Sequence, residues 1–283
     1  MKRKCFIFLV IVAFVTLLYA PIVLAAPILG DDLASFAVLA ATGVTSGGTG
    51  STIGGNLGSS PTGSLTGVYN FTSGSLQADT LLAQKAQVQL DAAILAVNAF
   101  VPNATIANGN LDEFQLSQTG SVIAPGTYAV AAATTNLTGH LVLDGGGSNT
   151  AVWVFQFSSS LITGTSSNVT VQNVGDGAGV GIYWNVGSAA TLNGPTFAGN
   201  VLANTEAITT DGDLTIACGR LLSAEAQVTL IEDNISIGTC LSGGFDQRGS
   251  NGGGVPVPEP ATMLLLGSGL IGLAGFARRK FKK

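Results

Sequence analysis

Between Ala189 and Leu230 the chain writes nearly the same pattern twice. Ala189-Ala190-Thr191-Leu192 leads to Phe197-Ala198-Gly199-Asn200-Val201-Leu202. Ala207-Ile208-Thr209-Thr210 then leads to Ile216-Ala217-Cys218-Gly219-Arg220-Leu221-Leu222, and Gln227-Val228-Thr229-Leu230 opens the pattern again. The step is 18 residues from Thr191 to Thr209, and 20 from Thr209 to Thr229 and from Gly199 to Gly219. A unit of that length, built from short β segments and small turn residues, cannot bury its own apolar side and must stack on a neighbour. The pattern therefore predicts coils of a β-solenoid. Side chains alternate along a strand at period two. Ile208 and Thr210 point one way and Thr209 the other, so with the apolar set inward, Thr191, Thr209 and Thr229 form an outward ladder.

The N-terminal part of the body echoes these coils. Thr52-Ile53-Gly54-Gly55-Asn56-Leu57-Gly58 parallels Thr196-Phe197-Ala198-Gly199-Asn200-Val201. Between the two, the texture changes. Leu76 to Phe100 contains no Gly and no Pro, and Ala78, Leu82, Ala86, Leu90, Ala93 and Val97 recur at three- and four-residue steps. This predicts one α-helix over about 76–100, with Ser75 as N-cap and Pro102 just past its end. Its stripe of small residues suits close packing along a stack better than capture of a partner. A loop is expected from Pro102 to Leu116. Strands resume with Gly126-Thr127-Tyr128, and Ala151-Val152-Trp153-Val154-Phe155-Gln156-Phe157 reads as a core strand.

The two ends carry addresses. Lys2, Arg3 and Lys4 precede an apolar run from Cys5 to Tyr19 and a small-residue site at Ala25. Residues 1–25 read as a secretory signal peptide; a retained anchor helix is the alternative, but the run is short for a span. At the other end, a Gly-rich linker (251–257) is followed by Pro258-Glu259-Pro260, an apolar run over 261–277, and a basic tail from Arg278 to Lys283. The run is at the lower limit for a transmembrane helix, and the basic tail belongs on the cytoplasmic side. This order resembles the PEP-CTERM sorting signal of Gram-negative bacteria; an ordinary C-terminal anchor is the alternative. The resemblance implies Sec export, processing by an exosortase, a transient membrane anchor and a final place at the cell surface or outside the cell.

The body, residues 26–250, holds three basic residues (Lys85, Arg220, Arg248) against fifteen acidic ones, a net −12. Nucleic-acid binding is excluded as a reading, because neutralising phosphates takes a basic patch. Cys218 and Cys240 remain after the signal peptide, 22 residues apart. An even pair in an exported chain reads as a disulfide between adjacent coils; two buried thiols are the alternative. His140 is the only histidine, so neither a metal site nor a Ser-His-Asp arrangement has support. Asp211-Gly212-Asp213 reads as a turn rather than a calcium loop, and no enzymatic activity is expected.

Six segments, in order around the predicted helix, carry a resemblance over about residues 28–241. They are Phe36-Ala37-Val38-Leu39-Ala40, Gly54-Gly55-Asn56-Leu57-Gly58, Ala124-Pro125-Gly126-Thr127-Tyr128, Ala151 to Phe157, Ile182-Tyr183-Trp184-Asn185-Val186-Gly187-Ser188, and Phe197 to Ala203. Together they resemble the ice-binding family of polar bacteria, yeasts and diatoms. The resemblance implies a mainly β, right-handed-type discontinuous β-solenoid of triangular cross-section, with one long α-helix packed along its axis. It also implies that the first and last segments of the body stack together, that a flat face meets the surface of an ice crystal, and that there is no cofactor. Thr45, in Thr42-Gly43-Val44-Thr45, resembles a short ice-binding motif of some relatives and joins Thr191, Thr209 and Thr229 as the first-choice site. Thr52, Thr196 and Thr215 form a second choice. Thr is also simply a good outward strand residue. The reading is an exported, monomeric ice-binding protein; the alternative is an extracellular matrix or adhesion protein on the same fold.

Overall fold

The computed structural model describes residues 28–238 except Asp176 and Ala178. The predicted signal peptide, Cys240, the linker, Pro258, Glu259, Pro260 and the apolar run over 261–277 lie outside the described residues. Within them the chain is mainly β, and its strands pair in parallel as one continuous sheet wound into a solenoid-like stack.

Three ladders make up the stack. The first contains β6 (Ala104–Ile106), β7 (Gly126–Val130), β9 (Val152–Phe157), β12 (Gly181–Val186), the second half of β14 (Thr196–Ala203), the second half of β16 (Thr215–Ser223), β1 (Phe36–Ala40), β3 (Asn56–Ser59) and β5 (Leu76–Ala78). The second contains β10 (Leu161–Ile162), β13 (Ala190–Leu192), β15 (Ile208–Thr210), β17 (Gln227–Ile231), the first half of β2 (Gly43–Gly54) and the start of β4 (Leu65–Ser73). The third contains β8 (His140–Asp144), β11 (Asn168–Gln172), the starts of β14 and β16, β18 (Asn234–Ser236) and the later halves of β2 and β4.

Stacking order departs from chain order at one seam. The last described coil, β16–β18, does not end the stack. It pairs with β1 and β2, the first strands of the chain, through Leu221↔Val38, Thr229↔Thr45 and Asn234↔Thr52. Chain connectivity does not join the two coils there, so backbone pairing and side chains together hold the seam. Arg220, buried despite its charge, donates to Ala34 O from Nε (3.2 Å) and Nη2 (2.8 Å), and from Nη1 to Asn200 Oδ1 (2.8 Å). Burying a cation is costly unless it is bonded this fully.

The period-two pattern sets the core. On the first ladder Tyr128, Phe155, Trp184, Val201, Leu221, Val38 and Leu57 form one inward column. Its aromatic part stacks: Phe155 and Trp184 lie 4.3 Å apart at 11°, and Tyr128 and Phe155 5.3 Å apart. Such pairs add about 0.5–1.5 kcal/mol each beyond burial. The glycines of the repeat mark the corner between the third and first ladders. Gly199 has φ 110°, and a Cβ there would lie 2.6 Å from Ile182 and Trp184; a Cβ on Gly219 would lie 2.1 Å from Gly199 O. Only glycine fits a backbone approach that close.

The predicted helix is corrected at its start. The helix that forms, α2 (Leu81–Asn98), follows a four-residue α1 (Asp31–Ala34), and is 18 residues long rather than 25. Leu76-Gln77-Ala78 is instead β5, because it pairs with the otherwise open edge of β3. Asp79 then turns with φ 47°, and the Thr80 hydroxyl, not Ser75, caps the helix by accepting from Ala83 N. Ala83, Ala86, Leu90, Ala93 and Val97 are buried against Leu39, Val154, Tyr183, Leu202 and Leu222, the outward side of the first ladder. Polar clamps hold the helix there: Gln156 Nε2 donates to Val97 O (2.7 Å) and Gln87 Nε2 to Ser223 O (3.4 Å). The loop expected from Pro102 to Leu116 is also corrected: it holds β6 and a short helix, α3 (Leu111–Ser117), capped by Asn110.

Candidate functional site

With the first ladder covered by α2, the second and third present open faces. On the second, one outward row runs Ile162, Thr191, Thr209, Thr229, Thr45, Thr66 in unbroken register. Strands neighbour at about 4.8 Å, so six rungs span roughly 24 Å. The four first-choice residues therefore stand side by side, and the row straddles the seam between Thr229 and Thr45. The flanking inward columns, Ala190, Ile208, Val228 and Val44 on one side and Leu192, Thr210, Leu230 and Ser46 on the other, are buried. This is the alternation that turns each threonine outward.

Thr45 and Thr66 are exposed, and Thr191, Thr209 and Thr229 half-buried. Among the described residues nothing bonds the hydroxyl of any of the five. The inward Thr210 behaves differently: its hydroxyl donates to Asp233 Oδ2 at 2.5 Å. None of the ladder's six strand segments contains a charged side chain. The nearby acids sit in turns. Glu232 is drawn aside by Thr49, whose N–H (2.8 Å) and hydroxyl (2.7 Å) both donate to Oε1. Those two bonds, the backbone one foremost, hold its carboxyl below the usual range.

The second-choice residues fall on the third ladder, on a different face. Their row runs His140, Asn168, Thr196, Thr215, Asn234, Thr52, Asn70. Thr196 and Thr215 are neighbours, while Asn234 separates Thr215 from Thr52. Charge enters at one end of this face. Exposed His140 has Nε2 2.7 Å from Thr170 Oγ1. Asp144 has its carboxyl held low by the Gly146 N–H and then the Gln172 amide.

Beneath the corner between these two faces lies a buried polar network. Asp233 accepts from Thr210 Oγ1, from Ile231 N (2.9 Å) and from Leu214 N (3.2 Å). Its own N–H donates to Ser51 Oγ (3.2 Å), which lies 3.0 Å from Ser46 Oγ. Burial raises the Asp233 pKa despite these donors, and Asp213 adds to the rise. The network crosses the seam, and nothing in the local sequence marks it. Asp211-Gly212-Asp213 is a turn with φ 99° at Gly212 and 57° at Asp213. Among the described residues no three His, Cys, Asp or Glu side chains gather as a metal site. Cys218 is buried in β16 and disulfide-bonded; its expected partner lies outside the described residues.

Two of the six rungs escaped sequence reading. Thr66 follows Thr45 by 21 residues, close to the coil step, and was legible. Ile162 precedes Thr191 by 29, because a long Gly-rich turn before β12 breaks the period.

Comparison with known proteins accords with this geometry. The ice-binding-like family profile matches residues 38–236. The chain belongs to the ice-binding-like family. A PEP-CTERM protein-sorting motif matches residues 256–280, enclosing Pro258-Glu259-Pro260. An ice-binding protein of Nostoc sp. (strain HG1) is 32% identical over 287 residues, covering 100% of this chain and 98% of its own. Among solved structures, an ice-binding protein from the Antarctic ascomycete Antarctomyces psychrotrophicus aligns at a TM-score of 0.60 with 30% identity, over 75% of this chain and 98% of that one. One from an Antarctic biological consortium aligns at 0.61 with 28% identity, over 75% and 92%. None of the described helices is long and apolar enough to cross a membrane.

Proposed function

We propose that this family member adsorbs to ice through the threonine row of the second ladder. One observation carries the reading: five threonines stand in register, their hydroxyls unbonded, on strand segments with no charged side chain. Threonine offers a methyl and a hydroxyl with little rotamer freedom to lose. Repeated at about 4.8 Å, the pair favours an ordered water layer; an ionised group would instead gather water around itself. Full-length similarity to an ice-binding protein supports the same reading. The decisive measurement is ice recrystallisation in the presence of the purified protein. Grain growth as fast as in buffer alone, at micromolar protein, would leave the matrix or adhesion reading, which the sorting motif favours through its surface address.

The finer architecture belongs to the same proposal. Three ladders suit a triangular cross-section, the right-handed type is carried over from the family resemblance, and α2, which touches strands from β9 to β16, suits a helix laid along the axis. We assign Cys240 as the partner of Cys218. We further propose a signal peptide over 1–25, Sec export, exosortase processing of a transiently anchored tail, and residence at the cell surface or outside the cell. No cofactor and no reaction are assigned, because among the described residues the threonine row has no base bonded to its hydroxyls.

A further inference from the structure

In place of the monomer expected from sequence, we propose that two copies of this chain pair head to head through the open end of the stack, β4 edge against β4 edge. This goes beyond ice adsorption and does not depend on it.

The two ends of the stack are built differently. At the β8 end, side chains and loops occupy the strand edge. Gln115 of α3 donates from Nε2 to His140 O (2.8 Å) and accepts from Val142 N (2.6 Å). Asp112 accepts from Thr138 N (2.7 Å) and Gly139 N (2.9 Å), and Ile123 N donates to Val142 O. At the other end, no described strand pairs beyond β4 or β5. Among the described residues no side-chain hydrogen bond reaches the outer edge of β4; the Tyr69 hydroxyl turns inward, 2.9 Å from Val44 O of β2 and 2.7 Å from Thr66 O. Val68 (52% exposed) and Leu76 (49%) stand at this end.

A long, exposed, uncharged edge is a template for another strand, and proteins that must stay single interrupt it with charge or proline. Here there is no Asp, Glu, Lys or Arg from Ser35 to Ala78. The occupant follows from charge. A body of net −12 repels its own copies elsewhere; at this end β4 and β5 carry no charged side chain, and only the carboxylates of Asp79, just past β5, and Glu232, beside Thr49, lie nearby, so two of these ends meet with less of that penalty. Because both copies use the same edge, the contact is isologous and stops at a dimer instead of running on into a fibre.

The test is sedimentation equilibrium of the full chain in nonionic detergent, up to ~100 μM. The parent should show a concentration-dependent dimer. Val68→Lys with Leu76→Lys should weaken association at least ~10-fold, since like charges then face each other, while Val88→Lys on the exposed side of α2 should leave it unchanged. Circular dichroism melting checks folding; if the double variant is unfolded, Leu76→Lys alone must weaken the dimer. A monomeric parent overturns the proposal. So does a dimer that survives both edge charges, which would assign it to the tail, and so does a dimer lost only in Val88→Lys, which would assign it to the helix.

Discussion

Thr209→Tyr tests the threonine row at its middle. Thr191 and Thr229 stand one strand away on either side and Thr45 two strands away, at about 5 and 10 Å. From ordinary bond lengths a tyrosine hydroxyl reaches roughly 4 Å farther from the backbone than a threonine methyl. A planar crystal face resting on it clears the neighbouring methyls, since contact is lost beyond a gap of about 1 Å. Each methyl withdrawn from water contributes at most about 0.8 kcal/mol. Lifting the face off the four that remain forfeits up to about 3 kcal/mol, which is roughly a few hundredfold in an adsorption constant. The minimum concentration that stops ice recrystallisation should therefore rise at least ~10-fold, the floor if the face tilts and keeps part of the row. Thr209 is half-buried with its hydroxyl unbonded, so folding stability should change by no more than ~0.5 kcal/mol and Tm by about 2 °C. Full activity in the variant would refute the assignment and pass the test to Thr215→Tyr on the third ladder. A Tm lowered by more than ~5 °C would refute the outward placement.

Three further outcomes follow from the packing. Asp233→Asn should cost about 1–3 kcal/mol in denaturant unfolding, because an amide nitrogen must face one of the three donors the carboxylate now accepts. The parent should also lose stability as pH rises from the ordinary aspartate value of 3.8 through the raised native value, since the native state holds the proton more tightly than the unfolded chain; that slope should be absent in the variant. Gly199→Ala should destabilise by roughly 2–4 kcal/mol, through a positive φ and a Cβ driven into Ile182 and Trp184. Thiol labelling of the unreduced, denatured, exported protein should detect no reactive cysteine; two labelled thiols would refute the Cys218–Cys240 pairing.

Where the coil step was regular, sequence alone placed residues correctly. Thr191, Thr209 and Thr229 share a step of 18 to 20, and a strand's period of two fixes which of Ile208, Thr209 and Thr210 turns outward. The start of the helix was misplaced because Leu76-Gln77-Ala78 satisfies a helical stripe and a strand equally well, and tertiary pairing with β3 decided between them. The position of Thr45 beside Thr229 came from family resemblance alone, since no local pattern reports a pairing between the first and last coils. The seam network was invisible for the same reason. Arg220 and Asp233 look like surface charges in sequence, and only the return of the first coil onto the last buries them.

That seam ties stability to function, because the proposed ice-binding row crosses it. Thr229 and Thr45 are adjacent rungs from opposite ends of the body, so the flat run of five threonines exists only while β17 and β2 stay paired. Arg220 acts on the same seam from the first ladder, holding Ala34 O and Asn200 Oδ1 across β16 and the entry to β1. Arg220→Met keeps much of the apolar stem but leaves these buried acceptors without their donor, a cost of about 1–3 kcal/mol. The loss should be local at first, since stability is distributed in separable units. Hydrogen exchange should quicken at Val38, Leu39, Leu221 and Leu222, and along β2 and β17, while Trp153 to Phe155 and Ile182 to Trp184 keep parental protection. Recrystallisation inhibition should fall at temperatures where β9 and β12 are still fully protected, because half the row separates from the other half before the protein unfolds. Uniform loss of protection across all these strands would show that the seam opens only with the whole fold, and the coupling between Arg220 and the threonine row would be refuted.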